Sequence, residues 1–144
     1  MTREEMDRLI AEHLAAEQAG DPDASVAMYS DDVVHDLVGS PLGTLEGPEE
    51  AKRFYEMLAA NIQTDQMDVN HAKYGEDFCV IEHQWRGTVP GEFMGIYGHG
   101  RRISFRMLHL WEFNDGAISR ENVWLDTGSI IQQLTSDAAI AAQA

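Results

Sequence analysis

Four side chains in this sequence have the chemistry and the spacing to move a proton: Asp126, His109, His83 and His35. Two of them sit on one hairpin, Arg101 to Asp126. On its first arm Ile103, Phe105, Met107, His109, Trp111 and Phe113 share a face, with Ser104, Arg106 and Glu112 opposite. Asn114-Asp115-Gly116 is a hairpin turn signal, because Asp-Gly supplies the positive-φ positions such turns need. On the second arm the alternation groups Ile118, Arg120, Asn122, Trp124 and Asp126, with Glu121, Val123 and Leu125 opposite. His83 lies between Ile81 and Trp85 on another apolar strand face, and His35 between Val33 and Leu37.

Imidazole titrates nearest neutrality. A carboxylate inside an apolar enclosure has a raised pKa and can act as acid or base near pH 7. The plainer alternatives are that Asp126 caps the turn at residues 127–129 and that each histidine is a satisfied core residue. Tyr55, Trp85, Met94, Phe105, Met107 and Trp124 would line an aromatic, adaptable pocket for a flat hydrophobic substrate, or simply pack as core. Arg120 and Asn122 share the face of Asp126 and join that expected lining. Three histidines with Asp126 could in principle suit zinc or iron. No His-x-His or His-x-x-x-His spacing supports a metal site, and none is expected. His13 and His71 read as surface or edge residues, and Asp31 and Asp32 as loop.

The elements that must position these groups follow in order. Thr2-Arg3-Glu4-Glu5 is a capping box, and Met6, Leu9, Ile10, His13 and Leu14 recur at helical spacing until Gly20 and Pro22. Asp21-Pro22-Asp23 opens a short helix with Ala24, Ala27 and Met28 inward and Tyr29 near its end. A β-branched strand spans 33–38, and 39–47 reads as loop. Pro48-Glu49-Glu50 starts a helix with Ala51, Phe54, Tyr55, Leu58 and Ile62 on its buried stripe. Met67, Val69 and His71 alternate, 78–89 is a strong strand, 92–97 a short one, and the hairpin follows. A short terminal helical turn is expected at 129–134, and the Ala-rich tail after Ser136 reads as fraying. Helices first and antiparallel strands after predict an α+β fold, with the N-terminal helices packed on the concave face of a cone-shaped, curved antiparallel sheet. One domain, 1–144, with a pocket at the wide end of the cone is expected.

Composition narrows the partners. The net charge of −15, from 25 acids and 10 bases, repels phosphates and anionic lipid, so neither nucleic acid nor membrane is expected as a partner. The single cysteine, Cys79, excludes an internal disulfide and reads as a buried, inert thiol. No signal-peptide pattern or apolar run of spanning length is present, which predicts a cytoplasmic protein. Val80, Leu108, Leu110, Val123 and Leu125 on the faces opposite the cone predict a homodimer contact.

MYSDDVVHDLVGSPLGTLEGPEEAKRFYEML and FMGIYGHGRRISFRMLHLWEFNDGAISRENVWLDTGSIIQQL resemble nuclear transport factor 2-like proteins, which share the cystatin-like fold, and specifically their SnoaL-like polyketide cyclase branch. The resemblance covers nearly the whole chain. It implies a cone-shaped barrel, usually dimeric through the convex sheet face, and cyclases that use no cofactor. His109 in LHLWEF matches the family's strand histidine, and Asp126 in VWLD an acid on the next strand, although Leu125 stands here where the nearest cyclase pattern has the acid. Because the fold hosts several chemistries, three readings remain. The first is a cofactor-free cyclase or isomerase moving a proton next to a carbonyl of a hydrophobic, polyketide-like substrate, with Asp126 as proton carrier and His109, His83 and His35 assisting. The second is a dehydratase or epoxide hydrolase, and the third a non-catalytic ligand-binding or dimerisation domain.

Overall fold

The computed structural model describes residues 1–136. The tail read as fraying lies outside the described residues. Helix α1 (Arg3–Ala19) begins at the expected capping box: Thr2 Oγ1 accepts from the Glu5 amide, and the Glu5 carboxylate accepts from the Thr2 amide. It ends at Gly20, whose φ of 67° is the left-handed C-cap that glycine adopts without a Cβ clash. Its buried stripe is Met6, Leu9, Ile10 and His13. In α2 (Pro22–Val26) the buried residue is Ser25, not the alanines expected there, and Ala27 is exposed. Strand β1 (Tyr29–Leu37) starts at Tyr29 rather than Val33, so Asp31 and Asp32 are exposed strand residues. Strand β2 (Thr44–Glu46) lies within the expected loop. Helix α3 (Pro48–Asn61) buries Ala51, Phe54 and Tyr55.

Strands β3 (Gln63–Tyr74) and β4 (Phe78–Val89) follow, then the two-residue strands β5 (Glu92–Phe93) and β6 (Ile96–Tyr97), which pair only with each other. The hairpin is β7 (Arg101–Asn114) and β8 (Ala117–Leu125), with Asp115 and Gly116 at φ 49° and 81° in its turn. Helix α4 (Thr127–Thr135) completes the order. The curved sheet runs β2-β1-β8-β7-β4-β3. Its pairs are antiparallel except β1 with β8.

One irregularity in the hairpin decides which side chains enter the core. Phe113 pairs with Ile118, but Glu112 pairs with Arg120, so Ser119 has no opposite number. A bulge of one residue shifts the faces of a strand. Ile118 therefore shares the inner face with Glu121 and Val123, all buried, while Arg120 and Trp124 point outward. The outward placement of Arg120 and Trp124 reverses the alternation read from sequence. So does the inward placement of Val123, which leaves Leu108 and Leu110 of β7 and Trp124 of β8 on the outer face.

Two apolar clusters fill the concave side. Met6, Leu9 and Ile10 of α1 and Phe54 and Tyr55 of α3 pack on Val33, Cys79, Ile81, Trp111 and Phe113. Ile130 and Leu134 of α4 pack on Trp85, Val89, Ile103, Phe105, Met107 and Val123. Among the described residues no helix is long and apolar enough to cross a membrane. Asp126 is the N-cap of α4: it is exposed, and its carboxylate accepts from the Ser129 amide at 3.2 Å. Asp126→Ala should therefore cost about 1 kcal/mol in denaturant unfolding, while Asp126→Asn, which caps nearly as well, should cost almost nothing.

Candidate active site

The inner faces of the strands carry a polar cluster in the first apolar core. Its members are His13 (α1), Tyr29 and His35 (β1), Tyr55 (α3), His83 (β4), His109 (β7) and Glu121 (β8), each at most 7% exposed. Glu121 is the hub. Its Oε2 accepts from Tyr29 Oη at 2.5 Å and from Tyr55 Oη at 3.3 Å, and lies 3.2 Å from His13 Nε2. Its Oε1 faces His109 Nε2 at 3.6 Å, beyond hydrogen-bond reach.

The protonation state of His13 follows from its neighbours. Nδ1 lies 2.7 Å from the Ser25 carbonyl oxygen and Nε2 faces the Glu121 carboxylate, with Glu17 Oε2 at 3.9 Å. Both ring nitrogens meet acceptors, so both must carry protons, which is the imidazolium. Burial opposes that charge, but Glu121 and then Glu17 outweigh it and raise the His13 pKa to about 9. Burial likewise opposes ionisation of Glu121, and His13, by charge and hydrogen bond, outweighs it and holds the carboxyl well below the usual range. The result is an ion pair inside an apolar core, sustained by two tyrosine hydroxyls.

The other histidines behave differently. Burial dominates and keeps them neutral: His83 is lowered to about 4 and His109 to about 3, and His35 is lowered too. His83 Nδ1 and His109 Nδ1 are 3.1 Å apart, so one donates and the other accepts. With Glu121 Oε1 on its other side, His109 carries its proton on Nε2, and its Nδ1 accepts from His83 Nδ1–H. That leaves the lone pair of His83 on Nε2, which is buried and has no protein partner. Both His35 ring nitrogens and Trp111 Nε1 are buried without partners as well. His109 stacks on Trp111 at 4.3 Å and His35 tilts over Phe54 at 4.6 Å. Glu121, His109 and His83 thus form a carboxylate-imidazole-imidazole series that ends in an unengaged nitrogen. This is the logic of a general base oriented by a second group and backed by a buried carboxylate.

Of the residues picked from sequence, His35, His83, His109 and Tyr55 come together here. Asp126 does not: it caps α4 on the surface, so the set of Asp126 with three histidines weighed for a metal does not assemble. Among the described residues no group of three or more metal-ligating side chains is disposed to hold an ion. Trp85, Phe105 and Met107 are buried under α4 in the second cluster, where the Trp85 and Phe105 rings stack at 4.8 Å and Trp85 Nε1–H donates to Thr64. Met94 is 42% exposed at a positive-φ turn position, and Trp124 is 40% exposed. Arg120 faces Glu112 at 3.4 Å and donates to Asn122, which places both on the outer side. Asp126 and Arg120, which the alternation placed together on one inner face, are therefore both outside the core. Cys79 is fully buried and burial pushes its thiol up to about 12, which leaves it inert.

Three members were missed. His13 falls on the apolar stripe of α1 at helical spacing, a signal that does put it in the core. Tyr29 was read as a helix end, and Glu121 was hidden by the bulge.

A model of the SnoaL-like domain matches residues 10–121, and the chain belongs to that family, within the nuclear transport factor 2-like superfamily. Solved structures share the fold. TsrD from Streptomyces laurentii is 20% identical with a TM-score of 0.80, covering 94% of this chain and 98% of that one. A candidate polyketide cyclase from Xanthomonas campestris pv. campestris is 20% identical with a TM-score of 0.79, covering 92% and 98%. An LEH-like epoxide hydrolase from M. tuberculosis is 17% identical with a TM-score of 0.73, covering 97% of each. No curated protein matches the sequence.

Stability should depend on pH through these buried groups. His83 and His109 stay neutral to about pH 4 and 3, while in the unfolded chain they titrate near 6.5. Between those values the unfolded chain binds more protons, so stability falls as pH drops below about 6.5. His13 has the opposite sign: its contribution is complete below 6.5 and is lost as pH rises through about 9. Glu17, raised to about 7, works against the acid-side loss, but it is one group against His35, His83, His109 and Glu121, all lowered. Thermal melts should show stability declining on both sides of neutrality, and His83→Gln should flatten the acid side. A melting temperature that rises steadily below pH 6.5 would contradict burial of neutral histidines.

Proposed function

We propose that the chain is a small acid–base enzyme that moves a proton next to a carbonyl of a hydrophobic, polyketide-like substrate, with no cofactor. The observation that carries this reading is the unengaged, buried His83 Nε2 at the end of the series running back through His109 to an ionised Glu121. His83 would take the proton from carbon. The positive charge that forms would be shared with His109 and balanced by Glu121, as a buried carboxylate stabilises an imidazolium. Trp111 Nε1–H, which has no protein partner, is a donor available to an enolate oxygen. The low pKa of His83 makes it a weak base in the resting protein, and the neighbouring carboxylate offsets part of that once the proton arrives.

Cyclisation and isomerisation use this step directly. Dehydration is the second reading, favoured by the adjoining pair of neutral histidines: one proton leaves carbon and the same ring returns it to a departing hydroxide. Family membership supports the general kind of chemistry, and fold alone does not choose among these outcomes. A non-catalytic reading treats the cluster as a satisfied core, and the unpartnered nitrogens speak against it.

His83→Gln keeps hydrogen bonding and removes the titrating ring. On any aromatic polyketide ester, enone or hydroxy-ketone that the protein converts, turnover should fall about 10²–10⁴-fold, and Asp126→Asn should leave it unchanged. Wild-type turnover in His83→Gln would refute the assignment. We further propose a homodimer through the outer sheet face, where Leu108 is 36% and Trp124 is 40% exposed. Light scattering should give twice the chain mass at micromolar concentration, and Trp124→Glu should halve it.

A further inference from the structure

The ion pair at the hub has a neighbour that the reaction above does not use. Glu17 lies one helical turn from His13 on α1, its side chain 14% exposed. Its Oε2 is buried, has no hydrogen-bond partner, and sits 3.9 Å from His13 Nε2. The same residue lines a surface cleft of about 370 Å³, between the α1–α2 turn and the α3–β3 junction, with Gly20, Ser25, Ile62 and Pro90. Tyr55 lines that cleft too, while its hydroxyl reaches His13 and Glu121 inside. One imidazole nitrogen therefore stands between a carboxylate in the core and a carboxylate at the cleft.

We propose that Glu17 and His13 form a proton outlet that connects Glu121 to water in this cleft. The inference rests on the reading of Glu121 as the group that ends up balancing the proton taken from substrate. Once the Glu17 side chain closes the 3.9 Å gap to hydrogen-bond distance, His13 Nε2–H gives its proton to Glu17 Oε2, leaving a neutral imidazole and a neutral acid. A proton that His109 Nε2–H has passed to Glu121 then moves to the His13 Nε2 lone pair, restoring both the carboxylate and the imidazolium. The Glu17 O–H finally loses its proton to cleft water. No ring flip is required, because Nε2 serves both carboxylates while Nδ1–H stays anchored on the Ser25 carbonyl.

The surroundings of Glu17 suit the task. His13 and, beyond it, Glu121 face it from the core, and Asp21 and Tyr55 are the other titratable groups along the cleft. Burial raises the Glu17 carboxyl to about 7, with His13 opposing the rise and Glu121 adding to it. A carboxyl near neutrality both accepts and releases a proton at working pH. A purely structural Glu17 would gain nothing from a buried oxygen that makes no hydrogen bond.

The test reads the resting protein, so it is independent of any substrate. Exchange of the His13 Nε2 proton with water is measured by NMR in the wild type, Glu17→Gln and Glu17→Ala. Exchange should slow about 10²-fold in both variants, the lower end of what a positioned acid or base contributes. Millimolar formate should restore it in Glu17→Ala, where the side chain leaves room, and not in Glu17→Gln. Unchanged exchange in both variants would overturn the outlet. Slowing that formate does not restore would assign the effect to packing and overturn it equally. If His83→Gln keeps its turnover while formate rescues exchange, the catalytic reading fails and the outlet stands.

Discussion

The ion pair between Glu121 and His13 is the constraint on which the rest of this structure depends. Two charges removed from water cost several kcal/mol each, and their attraction offsets that only when their remaining hydrogen-bonding capacity is met. Here Tyr29, Tyr55 and the Ser25 carbonyl supply those bonds. That requirement fixes positions on α1, α2, β1, α3 and β8 at once. Such a pair is a poor source of stability compared with well-packed apolar residues of the same volume.

The pair also governs what its neighbours can do. A buried imidazole is ordinarily neutral, and His83, His109 and His35 follow that rule, whereas His13 breaks it because a carboxylate touches it. Charge is therefore confined to one end of the cluster and lone pairs to the other. The same carboxylate sets the tautomer of His109 and through it that of His83, which leaves Nε2 of His83 open. Burial, which would silence an isolated histidine, here creates a graded series from ionised carboxylate to unengaged base.

Much of this was legible in the sequence. The alternation of β7 from Ile103 to Phe113 is broken only by the apolar Leu108 and Leu110 on its outer side, and all six of its expected inward residues are buried. His83 lay between the apolar Ile81 and Trp85, and His35 between Val33 and Leu37. The capping box and the Gly20 stop placed α1, and the same helical spacing that buried Met6, Leu9 and Ile10 also carried His13 inward. What failed was β8. A strand's faces can be read only if its register is unbroken, and the bulge at Ser119 lies between Ile118, from which the alternation was counted, and Glu121, which it misplaced. Counting back from Val123 instead would have paired Glu121 with an apolar inner residue. Asp126 looked inward as an extension of that wrong phase and by its match to a family acid, and its position just before Thr127 was the signal of a helix cap. Tyr29 was lost for another reason: it is followed by Ser30-Asp31-Asp32, a run that opposes strand propensity, while Tyr29 itself pairs with Ile118 of β8.

The most direct test of this account is the ionisation of the four buried ring systems, read from the side-chain nitrogen resonances of isotope-labelled protein near pH 7. His13 should carry protons on both ring nitrogens and keep them until about pH 9, while His35, His83 and His109 each show one protonated nitrogen, with His109 protonated on Nε2. A His13 that is neutral at pH 7, or that titrates near the ordinary 6.5, would mean that Glu121 does not hold the charge the site is built around.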